Sequence, residues 1–257
     1  MIPPILAKAL RQPPDLTIAV SGGVDSMTLA HAAHRLRPMR MVHAISPAVP
    51  ERATALVRDH AARSGWHLTL IDAGEFDDPR YRANPLERCY FCKSNLYDRI
   101  AELVGGVIAS GTNADDLSDF RPGLRAAGER GVIHPFVEAG MDKAAIRALA
   151  RAMGLADISD LPAQPCLASR VETGLRVDPG DMALIDRVEN LVRACLGADA
   201  VIRLRLTRQG AVLETGEPAP GAELMAGVAA LCMAAGKPFL GARAYRQGAA
   251  FLRERTP

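Results

Sequence analysis

The sequence predicts an α/β fold, a parallel sheet with helices on both faces, followed by a smaller C-terminal α+β domain. Three observations carry that reading. Apolar β-forming runs alternate with helical stretches through the first half of the chain, joined by short connections, as in right-handed βαβ units. A glycine-rich turn, Ser21-Gly22-Gly23, separates the first run from the first helix. Residues 157–180 hold Pro162, Pro165, Gly174, Pro179 and Gly180, and beyond them the order changes to a helix, paired strands, a helix and a strand. These breakers place the domains at 1–165 and 166–257.

In order, Leu16–Val20 reads as a buried strand and Met27–Leu36 as a helix. Met39–Ile45 is a second strand, Glu51–Ser64 an amphipathic helix and Trp66–Ile71 a third strand. Residues 72–90 are rich in turn-forming and charged residues and read as a long exposed loop, a length often tied to function. A helix through Lys93–Leu103 and a fourth strand at Val107–Ala109 follow, then a short apolar segment at Val132-Ile133. A helix from Asp142 to Met153 has Asp142 placed as its N-cap and Gly154 as its stop. The second domain reads as a helix at Asp181–Leu196, strands at Val201–Leu206 and Ala211–Glu214, a helix at Ala222–Ala235 and a strand at Phe239–Ala242, with an antiparallel sheet.

At 257 residues and 49% hydrophobic composition the chain has room for a substantial core. A formal charge of +2, from 31 basic and 29 acidic residues, gives no field that calls for nucleic acid. No stretch has the apolar length of a membrane span, and the first residues lack a charged leader ahead of a hydrophobic segment, so a cytoplasmic protein is expected. Five cysteines, an odd number, suit a reducing compartment better than a disulfide framework.

The turn at Ser21-Gly22-Gly23-Val24-Asp25-Ser26 places unpaired N–H groups and the positive end of a helix dipole together, with two hydroxyls nearby. A phosphate is the natural guest. The lysine of a P-loop and the glycine spacing of a dinucleotide fingerprint are both absent. A ligand-free tight turn is the plainer alternative. The hexapeptide resembles the PP-loop of the ATP pyrophosphatase family, which splits ATP between the α- and β-phosphates and adenylates a substrate oxygen. In a parallel sheet ligands sit beyond the carboxyl ends of the strands, so Ser46 and the turn Ser110-Gly111-Thr112 are expected near the nucleotide.

Cys89-Tyr90-Phe91-Cys92 is a weak signal alone, serving zinc, iron–sulfur or redox chemistry. Its second cysteine opens a helix, which favours thiolate. Cys166, in another breaker-rich segment, is the obvious third member, with His67 and His134 as candidate fourth ligands should the metal be zinc. Cys195 and Cys232 fall in apolar helical stretches and read as buried small hydrophobes.

Together, Ser21–Ser26, Arg88–Lys93, Ser110–Asp116, Asp119–Leu124 and Cys166-Leu167-Ala168-Ser169-Arg170 resemble the LarE family of ATP-dependent sulfur transferases across nearly the whole chain. The resemblance implies adenylation of a carboxylate on a pyridinium mononucleotide, release of pyrophosphate, and insertion of sulfur, as in synthesis of a nickel-pincer nucleotide. It implies ATP binding at Ala19, Val20, Ser21, Gly22, Gly23, Asp25, Ser26, Ser46, Gly111 and Thr112, with Mg²⁺ placed by Asp25. It further implies a [4Fe–4S] cluster on Cys89, Cys92 and Cys166, with Cys166 and Asp25 in the catalytic centre and sulfide or another sulfur donor as co-substrate. A homo-oligomer is expected. Val171-Glu172-Thr173-Gly174 departs from the family's usual Pro-Tyr-Gly after Ser-Arg.

Arg203 and Arg205 alternate along a strand and share a face. Cross-strand salt bridges are the bland interpretation, whereas the resemblance implies a grip on the acceptor's phosphate. Glu189 falls near an acidic position of the family's substrate site and is equally explicable as a solvated helix residue. Two other functions fit the motifs less well: tRNA thiolation, which lacks a basic tract here, and a non-enzymatic iron–sulfur or nucleotide-binding accessory protein.

Overall fold

The computed structural model describes residues 1–118, 121–197, 200–216 and 220–245, so Asp119 and Phe120 of the Asp119–Leu124 motif lie outside it. The chain forms two compact units, Met1–Glu75 with Cys89–Gln164, and Phe76–Arg88 with Pro165–Pro257.

The first unit opens with helix α1 (Pro4–Arg11), which the sequence reading did not anticipate; proline occupies its first turn and Leu6 and Leu10 are buried. Strand β1 (Leu16–Ala19), helix α2 (Val24–Leu36), strand β2 (Arg40–Ile45), helix α3 (Glu51–Ser64) and strand β3 (His67–Asp72) follow. A short 3₁₀ turn, Glu75–Asp77, and helix α4 (Pro79–Arg82) lead to helix α5 (Arg88–Leu103) and strand β4 (Val107–Ala109). After a 3₁₀ segment at Ala114–Ser118 come α6 (Pro122–Glu129), α7 (Pro135–Glu138), α8 (Lys143–Ala152) and α9 (Ala156–Ser159).

The four strands pair in the order β3-β2-β1-β4, all parallel. Adjacent residues of β2 divide between two cores: Met41 joins Ile18, Met27 and Phe136, while Val42 joins Ile71, Ile100 and Ile108. That split is what burial of both sheet faces requires. Because β2 lies on one side of β1 and β4 on the other, the order reverses between β1 and β4, which opens a crevice at their carboxyl ends.

The second unit holds α4, a 3₁₀ turn at Leu167–Arg170, helix α10 (Pro179–Leu196), strands β5 (Ile202–Thr207) and β6 (Gly210–Thr215), helix α11 (Ala222–Ala234) and strand β7 (Phe239–Ala244). β5 and β6 pair antiparallel as expected, but β7 lies parallel to β6, so the sheet is mixed. Its connection through α11 explains this: a helix between two neighbouring strands returns the chain in the same direction. Pro179 and Gly180 are the first residues of α10, with Asp178 capping the Gly180 N–H at 3.0 Å; they begin a helix instead of prolonging a linker.

Residues 76–88 are less exposed than their composition suggests. Tyr81 and Asn84 are buried, and Asn84 takes a left-handed conformation at φ 55°. Its amide donates to the Glu172 carbonyl at 2.9 Å, its carbonyl accepts from the Gly174 N–H at 2.9 Å, and its Oδ1 accepts from Arg88. Arg88 also donates to the Ala168 carbonyl at 3.0 Å. Charged and turn-forming residues here serve internal bonding within the second unit. Among the described residues, no helix is long and apolar enough to cross a membrane.

Candidate functional site

The glycine turn leaves β1 at the crevice. Gly22 has φ 84°, and a Cβ there would stand 3.0 Å from the Ala53 carbonyl oxygen, so both conformation and space demand glycine. Gly23 precedes α2 in extended conformation, so Asp25 and Ser26 lie within the first helical turn, earlier than the expected start at Met27. The N–H groups of that turn have no intrahelical acceptor. Ser26 Oγ accepts from the Ser21 N–H at 3.0 Å, lies 3.0 Å from Ser21 Oγ, and donates to the Gly23 carbonyl at 3.2 Å. The hydroxyls therefore shape the turn, and Ser21 is exposed at its rim.

Val20 N–H bonds the Val42 carbonyl at 2.8 Å, and the Val20 carbonyl accepts from His43 Nδ1 at 2.8 Å. His43 Nε2 then accepts from Thr54 Oγ1 at 2.9 Å, and burial holds the imidazole below its ordinary pKa, hence neutral. The histidine braces the end of β1; nothing in its sequence surroundings marked it. Ser46 follows β2 directly, its Oγ accepting from the Ala48 N–H at 3.2 Å.

The second turn leaves β4 and meets the first. A Cβ on Gly111 would fall 2.7 Å from Ser26 N and 2.9 Å from the Asp25 carbonyl carbon, so only glycine allows this approach. Ser110 Oγ bonds Thr112 Oγ1 at 3.0 Å and His134 Nδ1 at 2.8 Å; burial lowers the His134 pKa. Asn113 is buried, with Oδ1 accepting from the Asp115 N–H at 3.0 Å and Nδ2 without a partner. Asp25 Oδ2 accepts from Lys143, while the buried Asp25 Oδ1 accepts nothing. Lys143, the first residue of α8, is a functional candidate the sequence reading missed, since one lysine at a helix start carries no local signal.

Cys89 and Cys92 stand three residues apart at the start of α5, on one helix face, and are accessible to solvent. Cys166 caps the 3₁₀ turn in the second unit and is half-buried. No disulfide joins the cysteines. Among the described residues, no group of three or more His, Cys, Asp or Glu side chains forms a ready metal site. His67 starts β3, at the amino end of the parallel sheet, away from both turns. Cys232 is buried, and burial raises its thiol pKa, but Cys195 is exposed because it lies on the outer side of the last turn of α10.

In the second unit, Arg203 and Arg205 share one face of β5 with Glu214 of β6, and both arginines are largely buried. Arg205 Nε donates to Glu214 Oε2 at 2.8 Å, and Arg243 donates to Glu214 Oε1 at 2.8 Å. Arg205 also donates to the Ser169 carbonyl at 2.9 Å. Arg203 sits over the Tyr245 ring, and burial, with Arg170 adding like charge, lowers its pKa to about 10. Glu189 is no solvated helix residue. It is buried in a two-point pair with Arg170, at 2.8 and 2.9 Å, and accepts from the outward Leu204 N–H of edge strand β5 at 3.1 Å. Arg170 in turn donates to the Cys166 carbonyl at 3.0 Å.

No protein-family model matches the chain. An uncharacterized protein of Synechocystis sp. is 37% identical over 183 residues, spanning 68% of each chain. An uncharacterized protein of Methanocaldococcus jannaschii is 27% identical over 203 residues, spanning 77% of each. The pyridinium-3,5-bisthiocarboxylic acid mononucleotide synthase of Lactiplantibacillus plantarum is 26% identical over 196 residues, spanning 74% of this chain and 71% of the synthase.

Proposed function

We propose that the chain is a member of the LarE family and an ATP-dependent sulfur transferase acting on a carboxylate of a pyridinium mononucleotide, a reading supported by its similarity to the pyridinium-3,5-bisthiocarboxylic acid mononucleotide synthase. The meeting of the two turns at Gly111 and Ser26, on the β1/β4 crevice, is the observation that carries the ATP half of the reading. The first-turn N–H groups of α2 hold the β- and γ-phosphates and leave the α-phosphorus open to the acceptor. The acceptor's carboxylate oxygen bonds the α-phosphorus, pyrophosphate leaves, and sulfur then displaces AMP from the acyl carbon. Asp25 Oδ1 is a buried carboxylate oxygen with no partner, the hard donor that magnesium takes alongside phosphate oxygens. Bound there, Mg²⁺ neutralises charge on the phosphate chain.

Cys89, Cys92 and Cys166 are soft donors of the kind that hold iron–sulfur clusters. Cys89, Cys92 and Cys166 would hold a [4Fe–4S] cluster, which would carry the sulfide to be transferred. Arg203 and Arg205, two guanidinium groups on one face of β5, are assigned to the acceptor's phosphate, which suits arginine's bidentate geometry. α11 is apolar around its circumference, yet Met233 is 64% exposed, and Leu240 on β7 is 50% exposed; both support a homo-oligomer. We place it in the cytoplasm. Anaerobically purified protein, analysed for iron and sulfide and then given ATP, Mg²⁺, sulfide and the pyridinium dicarboxylate mononucleotide, is expected to yield AMP, pyrophosphate and thiocarboxylate. ADP and phosphate as products would overturn the reading.

A further inference from the structure

Lys143 is the cation at the glycine turn, and its anchoring differs at its two ends. Its backbone N–H donates to Asp115 Oδ2 at 3.0 Å, and Asp142 caps the same helix start by accepting from the Ala145 N–H at 2.7 Å. The main chain is thus pinned. The side chain, 41% exposed, reaches Asp25, itself 23% exposed, and pairs with Oδ2. Ion pairs open to solvent to this degree are weak, and a lysine stem reorients readily. Asp25 meanwhile keeps Oδ1 buried and unpartnered within the first turn of α2, where phosphate-facing N–H groups begin. A carboxylate half-neutralised by a loosely held ammonium is arranged to exchange that partner.

We propose that Lys143 is a catalytic residue of the adenylation step, parked on Asp25 in the resting protein and passed to the phosphate chain when Mg²⁺ and ATP arrive. This rests on the ATP reading given above. A polyphosphate carries more charge than one carboxylate, so the ammonium moves to it and Asp25 is released to the magnesium ion. As the acceptor oxygen forms its bond to the α-phosphorus, the bond to the α,β-bridging oxygen breaks. That oxygen leaves with the electron pair on pyrophosphate, and Lys143 stabilises the developing charge. The parking also keeps divalent cations off Asp25 until nucleotide is present.

The test compares the wild-type protein with Lys143→Met and Lys143→Arg, using nucleotide-free Mn²⁺ binding by electron paramagnetic resonance and pyrophosphate release with ATP, Mg²⁺ and the pyridinium dicarboxylate mononucleotide. Lys143→Met should bind Mn²⁺ at least about tenfold more tightly than wild type while releasing pyrophosphate on the order of a hundredfold more slowly. Lys143→Arg keeps the charge but grips Asp25 through a fork, so it should exclude Mn²⁺ and still release pyrophosphate about tenfold or more slowly. Wild-type rates in Lys143→Met overturn the catalytic role, and unchanged Mn²⁺ affinity in that variant overturns the parking. No pyrophosphate release from the wild-type protein is the separate result that sinks the ATP reading, and the role of Lys143 with it.

Discussion

Acidification is expected to loosen the first unit through a buried pair of histidines. His31 of α2 and His60 of α3 are buried, with His31 Nε2 2.9 Å from His60 Nδ1. His60 Nε2 lies 3.1 Å from Asp157 Oδ2, off good hydrogen-bond alignment but within ion-pair reach. One proton fits between the rings. The Asp157 carboxylate favours the His60 proton on Nε2, so His60 Nδ1 accepts from His31 Nε2, and the relay is neutral. Burial first, then His60 and Arg35, lower the His31 pKa from 6.5 to about 4, with Asp157 opposing. The unfolded chain therefore takes up a proton near pH 6.5 that the folded chain refuses, and stability falls as pH drops through that window before levelling below about 4. At about 1.4 kcal/mol per pH unit the interval costs roughly 3 kcal/mol. Trp66, the single tryptophan, has its ring 4.6 Å from His31 and reports on this site. Urea unfolding followed by Trp66 emission between about pH 7.5 and about pH 4.5 should show the loss, and His31→Gln, which keeps a donor but does not titrate, should remove that share of it. Equal pH slopes in the two proteins would refute the reasoning.

Three further outcomes are expected. Glu189→Ala leaves Arg170 buried without its carboxylate and should cost about 3–5 kcal/mol, read as a lowered urea midpoint. Gly111→Ala drives a methyl against Ser26 N and should weaken binding of an ATP analogue at least about tenfold in calorimetry, with overall stability lowered by about 1–3 kcal/mol. Arg203→Ala should weaken binding of the pyridinium mononucleotide about tenfold while ATP affinity stays within about twofold of wild type; equal losses for both ligands would make the arginine structural.

What was legible in the sequence was what glycine, serine and apolar periodicity encode locally. Ser21–Ser26 announces itself because only glycines permit Gly22's conformation and Gly111's approach, and the alternation of strands and helices fixes the crevice both turns share. The position of Asp142 as a cap was legible for the same reason. What stayed hidden depends on partners distant in sequence. Glu189 looks solvated until Arg170 and the Leu204 N–H are placed beside it. Lys143 looks like any helix lysine until α8 sets it against Asp25. Asn84 sits among charges and prolines, and its bonds reach Glu172 and Gly174, residues past 165. The parallel course of β7 follows from α11, whose apolar circumference reveals no strand direction.

The second unit is drawn from two stretches of chain, Phe76–Arg88 and everything from Pro165 on, and this has a consequence for its making. The Gly174 and Val177 N–H groups bond the carbonyls of Asn84 and Arg82, both at 2.9 Å, so those acceptors are synthesised long before their donors. On the ribosome, the earlier stretch must wait, unsatisfied, while the intervening helices and β4 are made. No single cut can release this unit intact: a fragment starting at Pro165 would lack Asn84 and the fastening it provides. A shuffled gene segment could not have carried the unit as one block, so the arrangement ties its inheritance to that of the parallel-sheet unit that interrupts it.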